Sequence, residues 1–119
     1  MKIRAWHKRN KFMREVDIIS FRDGWVGLLD GSDGCYLIGE VILMIASDLI
    51  DKNSTEIYDG DLCQIFNNAG DIVVSRNGEP VISEVKFQDG CFMLFTDTPV
   101  KDWCPDHIEI AGNIYEGLK

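Results

Sequence analysis

The chain has 119 residues, 45% apolar and 27% charged, with a formal net charge of -8. That is enough chain for one core and too little for two, and too apolar for global disorder. The longest uninterrupted apolar run, Val41–Ala46, is far short of a membrane span. The basic start leads into no apolar stretch of the kind a secretory signal needs. The expectation is one soluble domain over residues 1–119, in the cytosol, with no membrane partner.

The first element is a hairpin. Ile3 and Ala5 alternate with Lys2, Arg4 and Trp6, a turn follows at Lys8–Asn10, and Phe12 to Phe21 form the return strand. Its charge is unusual. Lys2, Arg4, Lys8, Arg9, Lys11 and Arg14 all fall in the first fourteen residues, which hold no acid; the other 105 carry six bases and all 20 acids, or -14. Strand alternation places Lys2, Arg4, Trp6 and Lys8 on one side. Cations around an aromatic ring are what single-strand nucleic-acid binders use. The competing reading buries Trp6 in a core or interface and lets the cations face acidic surface, with the hairpin (1–21) packed on its own β core or swapped onto a second subunit's. The seven candidate contact residues are Lys2, Arg4, Trp6, Lys8, Arg9, Lys11 and Arg14. On the second reading, reversing Arg4 and Arg14 to Glu dissociates an oligomer.

Three Asx-Gly pairs mark further hairpins: Asp23-Gly24, Asn77-Gly78 and Asp89-Gly90. As two-residue type I′ loops they set the registers. The first pairs Arg22 with Trp25, Phe21 with Val26 and Ile19 with Leu28, and leaves Arg22 and Trp25 together on the second face. The second pairs Arg76 with Glu79 and Val74 with Val81, with Pro80 demanding an edge. The third pairs Phe87 with Phe92 and Val85 with Leu94. Val41 to Ser47 reads equally as a helical turn or a buried strand. Asp48 to Asp61 reads as a polar loop feeding a strand from Leu62 to Phe66, and Thr98 to Asp106 as an irregular crossover. The fold class is mainly β: a small barrel or rolled antiparallel sheet built from hairpins, SH3-like closure being one form of it, with at most one or two short helical turns.

Candidate chemistry is sparse. Asp48 with Asp51, Asp59 with Asp61, and Asp30 with Asp33 are paired carboxylates, read as solvated turn residues. Asp51-x-Asn53-x-Thr55 opens like an EF-hand, but Glu56 stands at the glycine position and Leu62 at the terminal glutamate; Asp30-x-Ser32-x-Gly34 ends on Val41. Cys35, Cys63, Cys91 and Cys104 form no Cys-x-x-Cys pair, and Cys91, Cys104 and His107 supply one loose zinc-like pair where two tight ones are needed. Free thiols follow. His7 and His107 have no nucleophile motif near them, and there is no phosphate-binding glycine loop. The reading is no enzyme, no cofactor and no metal.

Three stretches together resemble the YopX family of bacteriophage and prophage proteins. They are Arg4-Ala5-Trp6 with Asn10-Lys11-x-Met13, then Asp51-Lys52-Asn53 with Glu56-Ile57-Tyr58-Asp59-Gly60-Asp61, and last Ile110-x-Gly112-Asn113-Ile114-Tyr115-Glu116. Four positions depart from the pattern: Ser54 replaces a loop glycine, Ser47-Asp48-Leu49 replaces Thr-Gly-Leu, and His7 stands where Asp is common. The resemblance implies a phage or prophage origin, a location in the host bacterial cytosol, a mostly β domain and a homo-oligomer, with no catalytic residues to carry over. An accessory protein that binds a host or phage protein is the leading expectation; a nucleic-acid binder using the basic hairpin is the alternative.

Overall fold

A computed structural model describes residues 2–29, 35–88, 90–95 and 98–118. The backbone contacts divide the chain into two compact units, Met1–Ala46 and Ser47–Lys119, each with its own small core where the chain length suggests a single one. The Asp30/Asp33 pair, Asp89 of the third hairpin turn, Thr96 and Asp97 lie outside the described residues. The chain is mainly β, its sheets antiparallel, and the described helical segments are short 3-10 turns at Ile38–Glu40, Val100–Asp102 and Pro105–His107.

In the first unit, β1 (Ile3–His7), β2 (Phe12–Ser20), β3 (Trp25–Leu28), β4 (Cys35–Leu37) and the start of β5 (Val41–Ile50) lie in the order β4-β3-β2-β1-β5. Ala5, Val26, Leu28 and Val41 form its core, with Phe12, Val16, Ile19 and Tyr36 packed against them. The inward positions of β2 change parity, from 12 and 16 to 19. A β-bulge between Val16 and Ile18 inserts the residue that this requires.

The first Asx-Gly hairpin differs from the expected register. Ile19 faces Val26 and Ser20 faces Trp25 across a four-residue turn, Phe21–Gly24. A type I′ turn needs positive φ at both central residues, and here Gly24 alone has it, at 75°. Gly24 N–H donates to Ser20 O at 2.8 Å, and Asp23 N–H donates to Ser20 Oγ at 3.2 Å. Phe21 is therefore 75% exposed instead of lining the core, and Arg22 does not face Trp25.

In the second unit the end of β5 is followed by β6 (Glu56–Tyr58), β7 (Asp61–Ile65), β8 (Ile82–Glu84), β9 (Lys86–Gln88), β10 (Cys91–Leu94), β11 (Thr98–Pro99), β12 (Ile108–Asn113) and β13 (Gly117–Leu118). One sheet runs β13-β12-β7-β8 and another β11-β10-β9. Ile57, Cys63, Ile65, Val85, Leu94, Val100 and Ile108 are its core. The ambiguous Val41–Ser47 segment is strand, and strand continues to Ile50, so much of the polar stretch is a hairpin and not a loop. Asn77-Gly78 sits in a three-residue loop, with Ser75 N–H donating to Glu79 O at 2.8 Å and Val74 bridging Pro80 in place of Val81. The reason is the same as before: Gly78 has positive φ and Asn77 does not. The third hairpin keeps its expected register, Phe87 opposite Phe92 with ring centroids 4.9 Å apart.

Candidate functional site

The hairpin turn spans Lys8 to Lys11, closed by Lys11 N–H donating to His7 O at 2.8 Å. The seven candidate residues do not converge. Arg4 and Trp6 share one face of β1, whereas Ala5 pairs with Arg14 on the other. Trp6 is only 8% exposed, so its ring is packed and not offered to a base. Arg4 is half-buried with Nη2 against Met44 Sδ at 3.8 Å. Arg14 lies 5.1 Å over the Phe12 ring, and Lys8 Nζ donates to Gly39 O at 3.0 Å. Lys2, Arg9 and Lys11 are exposed, the last two in the turn itself.

Beside this hairpin the outward side of β2, β3 and β4 carries a group of apolar side chains, with Ser20 and Glu15 on the same face. Ile18 pairs with Gly27 and Gly27 with Cys35; Trp25 pairs with both Ser20 and Leu37. Ile18, Trp25 and Leu37 thus project from one face, with Ile18 54% and Leu37 60% exposed. The missing side chain at Gly27 makes room for this arrangement, since a Cβ there would come within 2.8 Å of Ile18 Cγ2. β4 is the last strand of the order, so its outer backbone edge has no strand partner among the described residues.

The paired carboxylates are only partly the solvated residues expected. Asp48 is exposed, but Asp51 and Asp61 are 2% and 1% exposed. Asp51 Oδ1 accepts from Asn53 N–H at 2.9 Å and Thr55 N–H at 3.0 Å, and its Oδ2 accepts from Ile110 N–H at 2.9 Å. Asp61 Oδ2 accepts from Tyr58 N–H at 2.8 Å. Asn113, also buried, accepts on Oδ1 from Tyr115 and Glu116 N–H groups. Asn113 faces Asp61 in the ladder, and Ile114 N–H donates to Gly60 O at 2.9 Å. The central and closing sequence blocks therefore meet in space. Buried side-chain acceptors there satisfy backbone donors that the strands leave over.

Over residues 2–117 the sequence matches the family described as "YopX protein". The chain belongs to the YopX family. The solved structures it is similar to include the crystal structure of protein EF1440 from Enterococcus faecalis, at 20% identity and a TM-score of 0.69, covering 96% of this chain and 92% of that one. At that identity the likeness shows the fold alone. No curated protein matches the sequence. The YopX blocks map onto the first hairpin, the turns and the buried acceptors just described, which makes them determinants of fold.

The departures from the YopX pattern fit this geometry. Ser54 and Asp48, the two replacements for glycine, both have φ of 63°. His7 puts Nδ1 where it accepts Asn10 N–H at 3.0 Å, as an Asp oxygen would, and its Nε2 is 3.6 Å from Glu40 Oε2. A left-handed conformation costs a non-glycine residue roughly 1–2 kcal/mol, part of which glycine returns through the entropy of the unfolded chain. Ser54→Gly is therefore expected to stabilise the protein by about 0.5–1 kcal/mol, read as a raised denaturant midpoint at constant m. Asp tolerates this region better, and Asp48→Gly should gain less.

The four cysteines are unpaired; Cys35 and Cys104 are exposed and Cys63 is fully buried. Among the described residues no three His, Cys, Asp or Glu side chains converge in a metal-holding arrangement. Burial pushes the Cys63 thiol from 9.0 up to about 12, with Asp61 and Asp51 adding to the effect. The fold thus favours the neutral thiol. This contribution is complete below pH 9 and is lost as the pH rises toward 12, on the order of 4 kcal/mol across the window. Cys63→Val, which cannot titrate, should flatten the alkaline limb of the stability–pH curve; an identical limb in both proteins would contradict the assignment.

Proposed function

We propose that this protein acts by binding and not by catalysis: a phage- or prophage-encoded accessory protein of the host bacterial cytosol that self-associates and engages a host or phage protein. The observation that carries the reading is the apolar outward face of β2–β4, where Ile18, Trp25 and Leu37 stand together with Phe21, 75% exposed, at the turn beside them. Soluble monomers rarely leave such a contiguous patch uncovered, and an unpaired edge strand adds backbone donors and acceptors to it. The charge division supports the same reading: residues 47–119 hold five Lys or Arg against fourteen Asp or Glu, complementary to the basic hairpin.

Sedimentation velocity tests this. The wild-type protein should run above the 13.5 kDa monomer, and Ile18→Glu or Leu37→Glu should return it to monomer while leaving thermal unfolding cooperative. A monomeric wild type, or an unchanged oligomer in both variants, would reject the surface. Reversing Arg9 and Lys11, exposed in the turn, tests the charge contribution more cleanly than reversing Arg4 and Arg14, which pack on opposite faces. The second reading, nucleic-acid binding, rests on that same exposed turn. It requires affinity for single strands that falls steeply with salt and is lost on reversing Arg9 and Lys11.

A further inference from the structure

A cleft of about 240 Å³ lies in the second unit, with Leu49, Phe92 and Pro99 as its apolar walls and Ser47, Cys91 and Lys101 among its lining. Three strands and a turn build it. β10 carries Cys91 and Phe92, β11 carries Pro99, and the 3-10 turn Val100–Asp102 that follows Pro99 carries Lys101. The β10–β11 register is Met93 opposite Pro99 and Leu94 opposite Thr98, and the chain leaves the ladder after Pro99 into the turn that carries Lys101. Leu49 closes the floor from the end of β5, where Asp48 holds a φ of 63°.

We propose that this cleft binds a small organic anion with an apolar body, a carboxylate about the size of benzoate, with Lys101 as its counter-ion. Three observations converge on that class. The three walls are aliphatic or aromatic, which suits a compact apolar body and offers little to a polyol or a sugar. Among the described residues Lys101 has no carboxylate partner, although its unit carries fourteen acids and only five bases. None of the described lining residues is acidic, and Lys101 is the charged side chain among them. The Ser47 hydroxyl is already engaged, accepting Leu49 N–H at 3.1 Å, so it orients the wall and leaves charge recognition to Lys101.

The site is built from residues of the second unit alone, and its test does not depend on the proposed association surface. In the full-length, isotope-labelled protein, amide signals of Gly90, Cys91, Phe92 and Lys101 should shift saturably on titration with sodium benzoate, with a Kd of about 1 mM, as suits so small a ligand. Benzyl alcohol, which has the ring without the charge, should bind at least tenfold more weakly. Lys101→Glu, an exposed substitution that does not threaten the core, should weaken benzoate by tenfold or more. The proposal is overturned if benzoate produces no saturable shift at these amides, if the alcohol binds equally well, or if Lys101→Glu leaves the affinity unchanged.

Discussion

Gly112→Ala should cost roughly 3–5 kcal/mol and lower the melting temperature by roughly 12–20 °C, the largest effect expected from a single methyl group in this protein. Gly112 sits at the bulge of β12 with φ of 154°, a region that L side chains rarely adopt. A Cβ built there would lie 2.0 Å from Gly117 O and 2.9 Å from both Gly117 C and Leu118 Cα. All three atoms are backbone of β13, so no side-chain rotation relieves the contact; β13 has to leave or β12 has to deform. The two components separate in a cycle. Deleting residues 117–119 removes the steric partner and leaves only the φ strain, so the alanine penalty should shrink by roughly 2 kcal/mol in the truncated chain. Gly39→Ala, at a glycine with open space around it and no positive φ, is the control and should change stability by less than about 0.5 kcal/mol. Equal penalties for Gly112→Ala in the full-length and truncated chains would show that the clash with β13 does not set the cost.

The strand content was legible because period-two alternation and Asx-Gly pairs are local signals. Where the reading slipped, the missing information was a single φ angle. Asp23-Gly24 and Asn77-Gly78 both suit a two-residue loop by composition, but in each pair only the second residue is left-handed, which fits neither a type I′ nor a type II′ turn. Composition does not distinguish the two cases, since Asp and Asn are good in either. The bulge at Val16–Ile18 left a trace that could have been used: Phe12, Val16 and Ile19 cannot share a face without it. The basic hairpin was legible as a hairpin but not as a surface. Alternation groups Arg4 with Trp6, but the place of Arg14 on the other face follows from the β1–β2 pairing, and the burial of Trp6 depends on partners distant in sequence. The outward row of Ile18, Trp25 and Leu37 was invisible for a related reason. It assembles from three strands whose pairing depended on the misread turn. Asp51 and Asp61 were hidden differently, because a short acidic residue in a turn looks solvated until the strand that supplies its third donor is known.

Asp51 shows what such a residue contributes. Its carboxylate gathers three backbone N–H groups, two from the loop that follows it and one from Ile110, 59 positions away in β12. The backbone reinforces the link, with Lys52 N–H donating to Ile108 O at 2.8 Å and Asp51 N–H donating to Thr55 O at 2.9 Å. Asp51→Ala removes the acceptor for all three donors. The two loop donors can turn to water, but Ile110 N–H is aimed from β12 at the buried Asp51 carboxylate, where an unmet donor carries its full desolvation cost. A loss of about 3–5 kcal/mol is expected, since hydrogen bonds to a charged acceptor are worth about 1.5–3 kcal/mol each and the loop partly recovers its share. Asp51→Asn should cost about 2 kcal/mol, because its one oxygen can serve the loop pair while its amide group meets Ile110 with a donor. Hydrogen exchange separates this account from a general loosening of the core. In Asp51→Asn the Ile110 amide should lose protection while the amides of Asn53 and Thr55 keep theirs. Uniform loss across all three would mean that Asp51 acts through overall stability, not as the pin between this loop and β12.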